Sequence, residues 1–224
     1  MTWLPVETAL LPERDAVLGL KPDVYEALRN TLTLAWRIAD SRLLDLCRLR
    51  LAQLVGARAE TDSADQILLV QLEGWRSSST STFSERERAA LSYAEQYHVD
   101  HRRITDEQKD ELARHLSQRE VVNFVWALHM NDAYARLLSL LDIEPDPPSS
   151  RLRAERVPPR ERQPLGTTSG SSAPRFEGKF ADIDPEFFES YRTLGRVVVR
   201  QALVDEVTSE AVRLHNASHQ GCLY

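Results

Sequence analysis

Three short tetrads constrain this fold before any composition is counted: SERE at 84–87, TDEQ at 105–108 and SQRE at 117–120. Each sets a hydroxyl three residues ahead of a Glu or Gln. The hydroxyl can accept from a free amide in the first helical turn, while the longer side chain reaches back to the amide of the hydroxyl residue. Such boxes mark helix starts, and apolar residues at helical spacing follow each one. Helices are therefore expected over 84–99, 105–116 and 118–142. The last carries Val121, Phe124, Val125, Leu128, Ala135 and Leu138 along one face.

The residues before the first box read the same way. Pro22 stands where a first helical turn accepts proline, and Val24, Leu28, Leu32 and Trp36 form an i, i+4 ladder over 22–39. A break at Asp40-Ser41 leads to a second helix over 42–55, apolar at Leu43, Leu44, Cys47, Leu51, Leu54 and Val55, which Gly56 would end. A third is expected over 62–74, closed by Gly74-Trp75 and the polar run RSSSTST. No strand pattern precedes residue 145. Residues 1–144 thus read as an all-α domain of about six helices.

Residues 145–178 break this pattern. They hold seven of the eleven prolines and the arginine-rich piece SRLRAERVPPRER, and no periodicity survives, so they read as a solvated basic linker. Helical signals return in 179–224, with one start at Pro185 and another at Thr208 or Ser209, running to about Gln220. This last segment partly repeats the first domain. Shifting by 165 residues places Asp40 on Asp205, Arg48 on Arg213, Leu49 on Leu214, Ala52 on Ala217 and Gly56 on Gly221, and Asp45 falls on Glu210. The second copy then stops at Tyr224. About 40 residues rarely support a core alone, so this segment is expected to pack on the first domain, on a neighbouring chain, or to stay loosely ordered.

Composition narrows the partners. A net charge of −6 gives no electrostatic reason for nucleic acid binding, and no apolar run is long enough for a membrane span. The start, MTWLPVETALLPERD, lacks the basic opening and apolar core of a secretory leader. Two distant cysteines, Cys47 and Cys222, argue against a disulfide framework, and a cytoplasmic location is expected.

The stretch LDLCRLRLAQLVGA resembles the core helix of the carboxymuconolactone decarboxylase family, which includes the AhpD-like alkylhydroperoxidases. GWRSSSTSTFSERERAALSYAEQY resembles the family's Trp-Arg-Ser loop and the helix after it. VVNFVWALHMNDAYARLLSLL resembles its closing helix, with Asn131 and Arg136 where Asn and Arg are usual. The likeness covers roughly residues 20–142, and it implies an AhpD-like helical fold, no cofactor or metal, a thiol reductant, and homo-oligomers formed through helical faces.

Peroxidase members of that family carry a helix-start Cys-x-x-Cys, a His four residues after the second cysteine, and a Glu twelve residues before the first. A cysteine at a helix N-terminus ionises readily and attacks peroxide, giving a sulfenic acid that a second thiol resolves. Carried onto this chain, Asp45 takes the Glu position, Ala57 the nucleophile, Glu60 the resolving thiol and Ala64 the His, so the first copy is a degenerate site. In the second copy Glu210 and Cys222 occupy the acid and nucleophile positions, and they are the expected catalytic residues. Cys47, mid-helix on an apolar face, reads as packing.

Other candidates read as structure: His98 and His101 as a solvated helix end, His129 as a core histidine, Trp75 and Trp126 as core. Two alternatives to peroxidase chemistry stay open. One is a decarboxylase or isomerase of a small organic acid, with Asp45, Glu60 or a histidine as general base. The other is a non-catalytic assembly module.

Overall fold

A computed structural model describes residues 13–57, 61, 64–77, 82–143, 182–199 and 206–219. Helices account for 83% of the described residues and no strand occurs among them, so the fold is all-α. In chain order these are α1 (Glu13–Leu18), α2 (Pro22–Ile38), α3 (Ser41–Val55), α4 (Gln66–Glu73), α5 (Glu85–Asp100), a 3₁₀ turn (His101–Arg103), α6 (Asp106–His115), α7 (Gln118–Leu140), α8 (Pro185–Val199) and α9 (Glu206–His219). The Pro-rich stretch 145–178, Glu60 and Cys222 lie outside the described residues.

The helix ends are set locally. All three boxes close: Ser84 with Glu87, Thr105 with Gln108, and Ser117 with Glu120 each exchange side-chain and backbone bonds. Asp40 caps α3 by accepting from the amides of Arg42 and Leu43, and its second oxygen accepts from Arg86, 2.9 Å away. At the other end of α3 the Gly56 amide returns to Gln53 O and the Ala57 amide to Ala52 O. That is a Schellman close, and Gly56 takes φ +70, where a side chain would be strained. Helix α7 closes in the same way on Asp142 at φ 54, which turns Ile143 onto Val17 and Leu138 and docks α1 there.

Helix α3 is buried between α5 and α7, while α2 lies across α7 and α6 packs on α5. Leu43, Leu46, Leu72, Leu91, Leu112, Phe124 and Leu128 fill the interior. Each such side chain contributes roughly 1.5–3 kcal/mol by leaving water. Helix α8 belongs to the same body. It lies along α2, and Phe187 and Ile183 join the main core. Asp184 caps it by accepting from the amides of Glu186 and Phe187, and the Asp184 amide donates to buried Asn123 at 3.0 Å. Beneath α8, Ser190 bonds Thr31 and Asn30, each at 2.9 Å. Residues 182–199 therefore pack on the first helical unit. Among the described residues no helix is long and apolar enough to cross a membrane.

Candidate functional site

The sequence resemblance puts a thiol site in the stretch after α3, and the structure gives Ala57 a part in the helix close. Its amide closes the Schellman motif and its carbonyl accepts from Thr61, whose amide and hydroxyl both lie 3.3 Å away. A methyl side chain offers no nucleophile. Ala64 packs against the main core, where it holds no proton. Asp45, one face around α3, has Arg48 NH2 3.7 Å away, both side chains being largely buried. Cys47 is buried inside α3. Burial, and then the charge of Glu95, push its thiol far above the ordinary range, so it is no thiolate source. Glu210 lies exposed on α9, and nothing described brings it to Asp45.

Two polar clusters on α5 stand out instead. The first is centred on Glu95. Its carboxylate accepts from Arg50 Nε at 2.5 Å, from Trp75 Nε1 at 2.8 Å and from Arg76. Burial works against the charge, but these bonds outweigh it and hold the carboxyl below its usual value. Arg76 also stacks over Trp75, 4.7 Å from the ring. The cluster ties α3, the turn after α4 and α5 into one unit. Trp75 is thus core, as its sequence context suggests, with a bonded N–H.

The second cluster lies one turn further along α5, facing α7. His98 Nδ1 is 2.5 Å from Asp132 Oδ1, and Arg136 Nε donates to Asp132 Oδ2 at 2.8 Å. Arg136 also donates to the backbone carbonyl of His98 at 2.5 Å, which spans the end of α5. Beside this, Tyr97 OH and His129 Nδ1 share a hydrogen bond of 2.8 Å. His129 sits edge-on among Trp126, Tyr191 and Tyr97, at centroid distances of 6.0, 6.3 and 6.4 Å. Burial lowers the pKa of His129, and His101 adds to this against the pull of Asp132. Burial likewise pushes Tyr97 up to about 12. Asp132 is held below its usual value because the bonds from His98 and Arg136 overcome its burial.

His98 is therefore not a solvated helix end: Asp132 draws it into the α5–α7 seam. With Nδ1–H given to a carboxylate, its Nε2 is the nitrogen that can take up or release a proton, the usual arrangement of an oriented imidazole. Glu95 and Asp132 were not visible as candidates in the sequence. The one trace of Asp132 is its i, i+4 spacing from Arg136, a pattern shared by many solvated pairs. Among the described residues no group of three His, Cys, Asp or Glu side chains is placed to hold a metal ion. Comparison with family models, with curated proteins and with solved structures returns no match.

Proposed function

We propose that this chain is an AhpD-like protein of the carboxymuconolactone decarboxylase type, in which α1–α7 form a scaffold without thiol chemistry. Hydroperoxide reduction is assigned to Cys222, with Glu210 as its proton relay. The observation that carries this reading is the close of α3. The same Gly-x step occurs twice in the sequence, as Gly56-Ala57 and as Gly221-Cys222, and only the second supplies sulfur. The Cys222 thiolate would attack the peroxide oxygen, breaking the O–O bond. The alcohol leaves with a proton and the sulfur becomes a sulfenic acid. A dithiol reductant then returns the two electrons: one thiol displaces water from the sulfenic acid, and the second releases Cys222 and closes the reductant's disulfide.

The test is turnover of cumene hydroperoxide with dithiothreitol. Cys222→Ser should abolish it and Cys47→Ser should leave it intact. An unchanged rate in Cys222→Ser, or no turnover by the unmodified chain, refutes the assignment.

The His98–Asp132 pair favours a second reading, cysteine-independent acid–base chemistry on a small organic acid. Half-exposed Arg136 beside it would meet the carboxylate. Small carboxylates and lactones should then raise the melting temperature of the Cys222→Ser chain, and His98→Gln should remove the response. A flat response to every compound counts against it.

A further inference from the structure

Helix α8 is held on the first helical unit by two kinds of contact. Polar pins hold its first half: the Asp184 amide donates to Asn123, and Ser190 bonds Thr31 and Asn30. Amides and hydroxyls of this kind do not change charge near neutral pH. The rest of the seat is aromatic. Phe187 and Tyr191, one turn apart on α8, stack at 6.2 Å, and both meet Trp126 edge-on, at 6.1 and 4.8 Å. Tyr191 also meets His129, at 6.3 Å. The surface on which α8 rests therefore includes an imidazole.

When neutral, that ring shares a hydrogen bond with Tyr97 through Nδ1. When protonated, both ring nitrogens donate. Tyr97 must then turn to accept, and a cation stands between α7 and α8. The groups around it pull in different directions. Asp132, three residues on along α7, favours the cation, and His101, in the turn after α5, opposes it. Asp132 is already bonded to His98 and to Arg136. From α8, Tyr191 faces the ring, while Glu189 pairs with Arg192 and Arg196 on the exposed side of that helix. On α2, Arg37 meets α8 at Glu186, 3.6 Å away. Burial is the largest influence on His129 and lowers its pKa.

We propose that His129 is an acid-sensitive latch, whose protonation releases α8 from Tyr191 onward while the pins at Asn123 keep the first half of the helix attached. In the released arrangement the imidazolium meets water where Tyr191 stood. The sign follows from linkage. Above 6.5 the ring is neutral in both arrangements and the latch stays closed. As pH falls below that value the open arrangement takes up the proton first, so opening increases. It levels off once the docked ring is protonated too. The latch lies beside the His98–Asp132 pair, yet it depends neither on chemistry at that pair nor on thiol chemistry.

Amide hydrogen exchange of the full chain, read by mass spectrometry at about pH 7.5 and about pH 5.5 and corrected for the intrinsic pH dependence of exchange, tests it. Protection over 191–199 should fall about threefold or more at the lower pH, while α3 keeps its protection. His129→Gln still offers Tyr97 a polar partner, so it should dock α8 and lose the response. His98→Gln and His101→Gln should retain the response, which ties it to one imidazole. Cys222→Ser should behave like the unmodified chain, which separates this inference from the peroxidase assignment. The His129 ring resonance of the unmodified chain should titrate below 6.5, a measurement that stands even if the His129 variant does not fold. Equal protection at both pH values overturns the proposal. Greater protection in acid overturns it too, because the aromatic faces would then hold the cation better than water does. So does a response that persists in His129→Gln, or a ring that titrates at or above 6.5.

Discussion

Glu95 and His98 sit one turn apart on α5 and belong to different kinds of polar cluster. Glu95 faces α3 and the turn after α4, and three donors occupy its carboxylate. Its charge is held in one state, so it works as a joint. His98 faces α7, gives Nδ1 to Asp132, and carries a second ring nitrogen that this contact leaves unused. A buried charge surrounded by donors stabilises one arrangement of helices. An imidazole oriented by a carboxylate keeps a proton to exchange. The same helix thus separates structure from potential chemistry by the direction each side chain takes.

The strongest test of that contrast is Glu95→Gln. Removing one partner of a buried ion pair leaves the other charge poorly solvated, so a loss of about 3 kcal/mol is expected. Arg50 accounts for most of it, because Arg76 is mostly in water and adds little. Urea unfolding at pH 7 measures this. If the loss is within error of an exposed substitution, the joint is not structural.

Asp132→Asn should cost less, about 1–2 kcal/mol, because half of Arg136 is in solvent. Its pH dependence sharpens the comparison. The folded carboxyl lies below the ordinary 3.8, so its stabilisation is present above that value and disappears as pH falls through the lower folded one. The unmodified chain should therefore lose stability in that acid range more steeply than Asp132→Asn. Parallel curves would mean that the His98–Asp132 contact is idle.

The smallest effect is expected at His129. Its folded pKa is depressed below 6.5. Between 6.5 and that lower value the unfolded chain binds a proton that the folded chain resists, so stability falls as pH drops. His129→Gln keeps a polar partner for Tyr97 and should flatten this part of the curve. Trp126, 6.0 Å from His129, reports the transition by fluorescence. An identical slope in the variant would place the titration elsewhere.

Much of the helix map was legible because its causes are local. The capping boxes, Pro22 at the start of α2 and Gly56 at the end of α3 all act within a few residues, and all take their expected roles. Helix α1 was missed: six residues, Glu13–Leu18, are too few to show a period. The third expected helix, 62–74, is seen as α4 from Gln66, where Asp65 accepts from the Ile67 amide as cap. Of the candidate site, it could be read directly that Ala57 and Ala64 supply neither a nucleophile nor a proton carrier, since neither side chain can be given chemistry by its surroundings. The pairing of His98 could not be read. Its partner is 34 residues away on another helix, and the same residue would be a solvated helix end had α7 been rotated.

The sequence by itself determined the all-α class, the helix starts and stops, and the absence of a thiol after α3, because amide capping, helical period and side-chain identity depend on neighbours within about one turn. Tertiary structure alone decided which carboxylates became buried joints, that His98 meets Asp132, and that α8 lies on α2 with Phe187 in the core. Those outcomes depend on how helix faces meet across many residues of chain, where packing selects among partners that a one-dimensional pattern leaves equivalent.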